Sequence, residues 1–370
     1  MTYIHELSHW PEFRWDVTAL AAKLSGVRHL QGRLIGRMEN LGFQLREESV
    51  LRTLTEEVVK SSEIEGEKLD RDQVRSSIAR RLGMDVAGMI PSDRNVEGVV
   101  EMMIDATQKY DEPLTEDRLF AWHAALFPTG RSGMAKITIG HWRDDARGQM
   151  QIVSGPVGRE RVHSVAPAAP RLAYEMSKVL KWFEQKKSTD PVLDAGIAHL
   201  WFVTIHPFDD GNGRIARAIT DLALARSENS QQRFYSMSSR IKAERNQYYD
   251  VLEATQKEGL DITMWLQWFL DCLEGALNQA EETLRAVVEK AHFWERIKDI
   301  SLNDRQRKVL NRLLDGFEGK LNLSKWASLT KTSKATAGRD LEDLVRKGVL
   351  VPVGSGRSTS YELAGVEAGR

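Results

Sequence analysis

The chain has 370 residues, a formal net charge of −1 and 28% charged residues, so it is long enough for two or three domains with their own cores, and its charge excludes a uniformly basic nucleic-acid coat. Its single cysteine, Cys272, excludes an internal disulfide framework and a cysteine-based zinc site, and fits a reducing compartment. No uninterrupted apolar run is long enough to span a membrane, and MTYIHELSHWPEFRWD carries His, Glu and Arg where a secretory leader needs an apolar stretch, so a soluble cytoplasmic protein is expected.

Helical periodicity dominates the first part of the chain. Leu20, Leu24, Val27, Leu30 and Leu34, then Val50, Leu54 and Val58, predict long helices over 15–60. Gly26, Gly32 and Gly36 interrupt this pattern without the spacing of a dinucleotide fingerprint. In KSSEIEGEKLD, Ser61 and Glu65 stand four apart and share one face of a helix. Further helices are predicted over 94–110, 115–126, 170–186, 191–205, 214–226, 241–257 and 262–290, with Thr115-Glu116-Asp117 as an example of their starting punctuation. One segment departs from this habit. Residues 148–167 place β-prone runs, Met150–Val153 and Arg161–Val165, around SGPVG, which predicts a hairpin.

Over 302–362 the pattern changes again. Two helical runs, Leu302–Leu314 and Leu323–Leu329, precede SKATAGRDLEDLVRKGVL, where Ser333 is an N-cap and Leu341, Leu344 and Val345 form an apolar face. Gly348 ends that helix, and two short strands flank the Gly354–Gly356 turn. Helix, helix, helix, hairpin predicts a winged helix-turn-helix. This segment holds 12 Lys+Arg against 7 Asp+Glu, a surplus of five that leaves −6 for the rest of the chain. Lys331, Lys334 and Arg339 are placed to contact DNA phosphates, and Arg357 in the wing to enter a minor groove.

Chemistry concentrates in HPFDDGNGRIAR, residues 206–217. The apolar WFVTI delivers His206, Pro207 turns the chain, Asp209–Gly213 forms a tight loop, and Ile215, Ile219 and Leu222 begin a helix. A glycine-rich loop opening a helix aims backbone N–H groups and the positive helix end at one spot, an anion site suited to phosphate. Arg214 and Arg217, three apart, share a face and reach further phosphate oxygens. A carboxylate in such a loop suits Mg²⁺, which takes its remaining oxygens from phosphates and water. A histidine beside it is placed to remove a proton from an incoming hydroxyl. Together these parts predict nucleotide-dependent group transfer. Neither a P-loop nor a set of protein-kinase elements is present.

At every specified position residues 206–217 match HPFx[D/E]GNGRxxR, and the chain on these grounds resembles the Fic (filamentation induced by cAMP) family, with weaker likeness over roughly 95–275. GHWR at 140–143 with the 148–167 hairpin looks like the family's target-docking flap. RNQYYDVL at 245–252 resembles its nucleotide-lining segment, and WPEFRWD the small domain that precedes Fic cores in one bacterial subgroup. The resemblance implies a mainly α fold. A Fic-type helical core with a small β-hairpin flap over 94–290 would follow a helical N-terminal domain over 1–93 and precede the winged-helix domain over 300–365.

The same resemblance implies transfer of AMP from ATP to a Ser, Thr or Tyr hydroxyl of a target protein, the chain itself included. His206 would be the general base and Asp210 the Mg²⁺ ligand. Gly211, Asn212 and Gly213 would cradle the anion, with Asn212 steering the α-phosphate and Arg214 and Arg217 holding the β- and γ-phosphates. Glycine at 213, where phosphorylating relatives carry lysine, favours adenylyl transfer. Tyr248, Tyr249 and Gln256 would contact adenosine, and Val153, Ser154 and Gly155 would belong to the flap. Ser61, Glu65 and Gly66 match the family's inhibitory pattern [ST]xxxE[GN], in which the glutamate takes the second arginine and displaces the γ-phosphate. The same site run backwards, removing AMP, stays open at this point. So does a DNA-binding regulator whose Fic region only senses nucleotide, and the winged module also suits protein docking or homodimerisation.

Overall fold

A computed structural model describes residues 2–84, 89–146, 148–154, 161–185, 189–314, 319–354 and 359–365. It is mainly helical and divides into two compact units, Met1–Ala280 and Glu281–Arg370.

In the first unit the chain begins by strapping itself to the core. Trp10 donates its indole N–H to the buried Glu175 carboxylate at 2.9 Å, and Trp10 and Phe13 both meet the edge of Trp201. Arg14 exchanges backbone bonds with Leu260 and Ile262, each 2.8 Å. Helices α1 (Val17–Glu39), α2 (Phe43–Ile64) and α3 (Arg71–Arg81) follow. The first two lie where the leucine and valine spacing puts them. α3 carries no expectation from the sequence, because its buried face is Val74 and Ile78 filled out by Ser76, Ser77 and Ala79, which an apolar-periodicity reading passes over. Asp70 caps it by accepting from Gln73 N–H at 2.9 Å.

Helices α4 (Arg94–Gln108) and α5 (Glu116–Leu126) lead to a small hairpin, β1 (Arg131–Ser132) with β2 (Ala135–Lys136), too short to register in a pattern search. The expected second hairpin is present as β3 (Gln151–Ser154) antiparallel to β4 (Arg161–Val165), with a register irregularity between Ile152 and Val153. After α6 (Leu172–Glu184), the buried helix α7 (Pro191–Ile205) packs along α8 (Asn212–Glu228). Periodicity predicts a single helix over 241–257; two are found, α9 (Met237–Ala243) and α10 (Arg245–Glu258), parted at Glu244. The break serves two dockings. The Glu57 carboxylate of α2 accepts from Ser236 Oγ at 2.6 Å and Ser238 N–H at 3.0 Å at the head of α9. α10 meanwhile inserts Tyr248, whose hydroxyl meets His199 Nε2 of α7 at 2.8 Å. Helix α11 (Thr263–Arg296) contains the boundary between the units.

The second unit holds α12 (Asp304–Leu314), α13 (Leu323–Thr330), α14 (Lys334–Arg346) and the antiparallel pair β5 (Leu350–Val353) and β6 (Ser360–Leu363). Trp326, Leu341, Leu344 and Leu350 anchor its core with Val309 and Leu310. Ser333 caps α14 through Thr336 N–H at 3.2 Å. Lys331, Lys334 and Arg339 are exposed, while Gly356 and Arg357 of the wing turn lie outside the described residues.

Candidate active site

The site is assembled where α7 ends and α8 begins. His206 terminates α7 in the left-handed region, φ 49° and ψ 60°, a conformation that costs a non-glycine residue energy and persists only where neighbours impose it. Its N–H bonds Phe202 O at 3.0 Å and its carbonyl accepts from Arg143 Nε at 2.8 Å. Arg143 is buried. Its backbone N–H bonds Pro207 O at 2.9 Å, and its other guanidinium nitrogens reach Pro167 O at 2.6 Å and Asp145 at 2.9 Å. One cation therefore joins the histidine turn to the chain leaving β4. Burial, with the Arg143 charge adding to it, lowers the His206 pKa to about 4 against the opposing pull of the Val203 carbonyl, Glu65 and Asp210. The imidazole is neutral at pH 7, and Nδ1 faces Val203 O at 3.4 Å.

Loop residues 207–211 are held on every side. His123 stacks on Phe208 with ring centroids 4.2 Å apart. Asn212 accepts from Phe208 N–H at 3.0 Å and donates to Phe208 O at 2.8 Å, so its amide closes the loop at both ends. Asp209 accepts from Thr138 N–H at 2.8 Å. Asp210 accepts from Gly211 N–H at 2.6 Å, and its other oxygen takes the Ser132 hydroxyl from β1. Among the described residues no group of three or more His, Cys, Asp or Glu could hold a metal unaided. A single carboxylate beside a phosphate site is nonetheless the donor set Mg²⁺ uses, since it retains water and substrate oxygens.

On the first turns of α8, Arg214 and Arg217 expose only 2% each. Arg214 lies over the Phe127 ring at 5.1 Å and donates to Glu67 at 2.6 Å. Arg217 donates Nε to Ser61 Oγ at 2.8 Å, and Nη2 to both Ser61 O at 2.9 Å and Glu65 Oε1 at 2.8 Å. Burial works against the Arg217 charge, but Glu65 together with Tyr248 and Tyr249 outweighs it and the guanidinium pKa is raised. Both carboxylates come from the cap of α2. Glu67 N–H bonds Ser62 O at 3.0 Å and Gly66 N–H bonds Glu63 O at 3.1 Å, the pair of bonds that defines a Schellman cap. Gly66 supplies the required left-handed residue at φ +86°. Lys242 adds its ammonium to Glu63 O at 2.7 Å, a cation at the negative end of α2. Ser61 and Glu65 thus meet Arg217 through one piece of backbone geometry, which Gly66 closes. Gly213 makes room for it: a Cβ there would stand 2.1 Å from Glu65 Oε1.

A cavity of about 720 Å³ opens beside this arrangement, lined by Glu65, His206, Gly213, Tyr248, Tyr249 and Gln256, and by Ile152 and Val153 of β3. Gln256 donates to Thr204 Oγ1 at 3.1 Å, and Tyr249 lies under the Arg245 guanidinium at 5.2 Å. Glu253 on α10 takes Arg161 at 2.9 Å, Lys257 at 2.6 Å and His163, tying β4 to the helix that carries the two tyrosines. Val153 is exposed, the backbone of Ser154 pairs with Arg161, and Gly155 lies outside the described residues. Sequence reasoning missed Glu67, Ser132 and Glu253. Glu67 alone left a signal, as a second acid two residues after Glu65.

Residues 113–224 match the Fic/DOC family, and residues 3–84 match a domain of unknown function, DUF4172. A protein adenylyltransferase Fic of Drosophila grimshawi is 36% identical over 116 residues, 31% of this chain and 22% of that protein. Another, of Drosophila mojavensis, is 34% identical over 132 residues, 34% of this chain and 25% of that protein. The chain thus spans about a quarter of the length of these curated relatives. A Fic family protein of Desulfovibrio desulfuricans G20 superposes with a TM-score of 0.51 at 22% identity, covering 95% of this chain and 97% of that one. A Fic-domain signalling protein of Bacteroides thetaiotaomicron VPI-5482 gives 0.53 at 18% identity over 70% and 97%. At these identities the two structures establish a shared fold.

Proposed function

We propose, from the premise that the chain carries a Fic/DOC domain, that it is a protein adenylyltransferase which transfers AMP from ATP to a hydroxyl of a target protein and restrains itself through Glu65. In this reading residues 1–93 restrain, 94–290 catalyse and 300–365 form a winged-helix module. The observation that carries it is a neutral His206 lining one cavity with Gly213 of the α8 start, while Arg214 and Arg217 are buried on the opening turns of the same helix. A phosphate site needs those N–H groups and cations; a base needs to be neutral and close.

The steps then follow from the chain's own groups. Nδ1 of His206 faces the Val203 carbonyl, which leaves Nε2 to accept the proton of the target hydroxyl. The hydroxyl oxygen attacks the α-phosphorus, and the bond to the β-phosphate bridging oxygen breaks to release pyrophosphate. The backbone N–H groups of Asn212 and Gly213 would face the charge on the α-phosphate, the Gly211 N–H being taken by Asp210, and Arg214 and Arg217 would take the outer phosphates. The Asn212 amide is engaged with Phe208 at both ends, so its contribution is to hold the loop and offer its backbone N–H. Mg²⁺ on Asp210 would neutralise phosphate charge. Tyr249 and Gln256, at the cavity wall, suit an adenine ring. Glu65 holds Nη2 of Arg217, and its charge opposes a γ-phosphate at the same guanidinium, which is the basis of the restraint.

For residues 302–362 duplex DNA is the proposed partner, supported by the exposed Lys331, Lys334 and Arg339 around the start of α14. The transfer reaction is tested with ATP labelled separately at the α and γ positions, with Mg²⁺. Protein label from the α position alone is expected; label from γ alone would assign phosphorylation instead.

A further inference from the structure

The inhibitory cap presents two carboxylates to the arginines of α8, and the second has its own partner. Glu65 sits at the C-terminal end of the α2 turn, and Glu67 two residues beyond, on the far side of the glycine. Arg214 and Arg217 stand three apart on α8, so they project from one face. Glu67 meets Arg214 at 2.6 Å, and Glu65 meets Arg217 at 2.8 Å. The two pairs differ in exposure. Both guanidiniums are buried, whereas the Glu65 side chain is 30% and the Glu67 side chain 48% exposed. Glu67 is therefore the acid with the easier route into water when its cation is claimed.

We propose that Glu67 is a phosphate competitor at Arg214, so that the α2 cap occupies both cationic positions of the anion site with carboxylates. Two further features favour occupation by anions at this spot. Arg217 Nη1 and Arg214 Nε are buried and have no hydrogen-bond partner among the described residues, so each guanidinium keeps a donor in reserve that its carboxylate does not satisfy. Glu65 Oε1 also lies over Gly213, so the carboxylate stands against the opening turn of α8, where N–H groups lack helical partners. A phosphate brings more acceptor oxygens than a carboxylate and would use what the acids leave over.

The two acids then govern different quantities. Glu65 reaches over the glycine next to the reacting centre, so its effect falls on alignment of the α-phosphate. Glu67 holds the other cation, Arg214, and is not among the residues lining the His206 cavity, so its effect falls on capture of the nucleotide's phosphate tail. This inference rests on the adenylyl-transfer reading for the identity of the ligand, and equilibrium binding separates the two because it needs no turnover.

The test measures binding of ATP and of AMP to the full chain and to Glu67→Gln, by calorimetry, with Mg²⁺ present. Removing a competing charge from a partly exposed pair with one buried partner should tighten ATP binding by roughly fivefold. AMP has no phosphate beyond the first and should bind both proteins alike. Unchanged ATP affinity would overturn the proposal. Weaker ATP binding would overturn it too, by making Glu67 a support that positions Arg214. An equal gain for AMP would reduce the effect to general electrostatics and overturn it as well. If ATP binds as expected but no variant, Glu65→Gly included, transfers AMP, the competition stands and the proposed reaction fails.

Discussion

Helices α8 and α14 both carry two cations near their first turns, where the positive end of a helix disfavours them, and the two solve this differently. At α8 the cations are Arg214 and Arg217, buried to 2% exposure and each matched to a carboxylate supplied from another helix. At α14 they are Lys334 and Arg339, left in water beside a Ser333 cap. Burying a guanidinium at the positive end of a helix costs several kcal/mol unless an anion follows it in. The α8 arrangement is thus a site that demands an anion, met here by the two carboxylates and, in the proposed reaction, by phosphate. The α14 arrangement demands nothing, so its charge alone says less about its partner.

The sharpest way to break this contrast is to remove the base beside the α8 site. His206→Ala should lower AMP transfer by about 10²–10⁴-fold with ATP binding kept, as loss of a general base does. Labelled transfer at the parental rate would take His206 out of the mechanism. Next comes the anion that α8 holds at rest. Glu65→Gly frees Arg217, and restored alignment worth about 3 kcal/mol would raise transfer more than a hundredfold. The double variant with His206→Ala should be silent, which separates released catalysis from disorder. Equal transfer by the parent and Glu65→Gly, both folded and binding ATP, would end the claim of restraint.

The legibility of the chain follows the same division. The α8 site can be read in the sequence because its residues are local: 206–217 carry the histidine, loop, helix start and both cations in one stretch, and Ser61–Gly66 encodes a helix cap in consecutive residues. The β3–β4 hairpin and the order of elements in 302–362 are legible for the same reason. Pairings made across the chain leave no trace. Ser132 meets Asp210 from 78 residues away and Glu253 holds Arg161 from 92, and neither residue type is unusual where it stands. Helix α3 escapes because serine and alanine complete its buried face, and the break at Glu244 because docking by Glu57 and Tyr248 overrides a continuous helical pattern.

Burial around the α8 site also sets a pH response. Burial lowers His123 and His206 to about 4 and His199 to about 3, in each case below the ordinary histidine value of 6.5. Between pH 6.5 and about 4 the unfolded chain takes up protons that the folded one refuses, so stability increases with pH there and is lost on acidification. The paired carboxylates Glu97 and Glu253, held to about 2, add their own loss below about pH 4.5. Melting temperature should fall by several degrees from pH 7 to 5, before the carboxylates contribute. A flat profile in that interval would contradict the buried neutral histidines. His199→Gln should flatten part of the slope whatever it does to the melting temperature itself.

The smallest effect belongs to α14, and it decides whether solvated charge there has a partner. If residues 302–362 bind duplex DNA, each neutralised phosphate releases counterions, and affinity falls linearly with salt on logarithmic axes. Lys334→Gln and Arg339→Gln should each reduce that slope by about one unit for each phosphate no longer neutralised. Both side chains are exposed, so stability should stay within about 0.5 kcal/mol of the parent, and weakened DNA binding will not be confused with unfolding. The core of the unit, built on Trp326 and Leu341, is untouched by either change. The full chain should be used, titrated with a mixed-sequence duplex from low to moderate salt. A slope that both substitutions reduce would give α14 an anion after all, supplied by a partner rather than by the chain. No binding even at low salt would leave its cations as a solvated face and turn the module toward protein docking or self-association, where the Asp340–Arg305 pair, 2.9 Å apart, would be the next place to substitute.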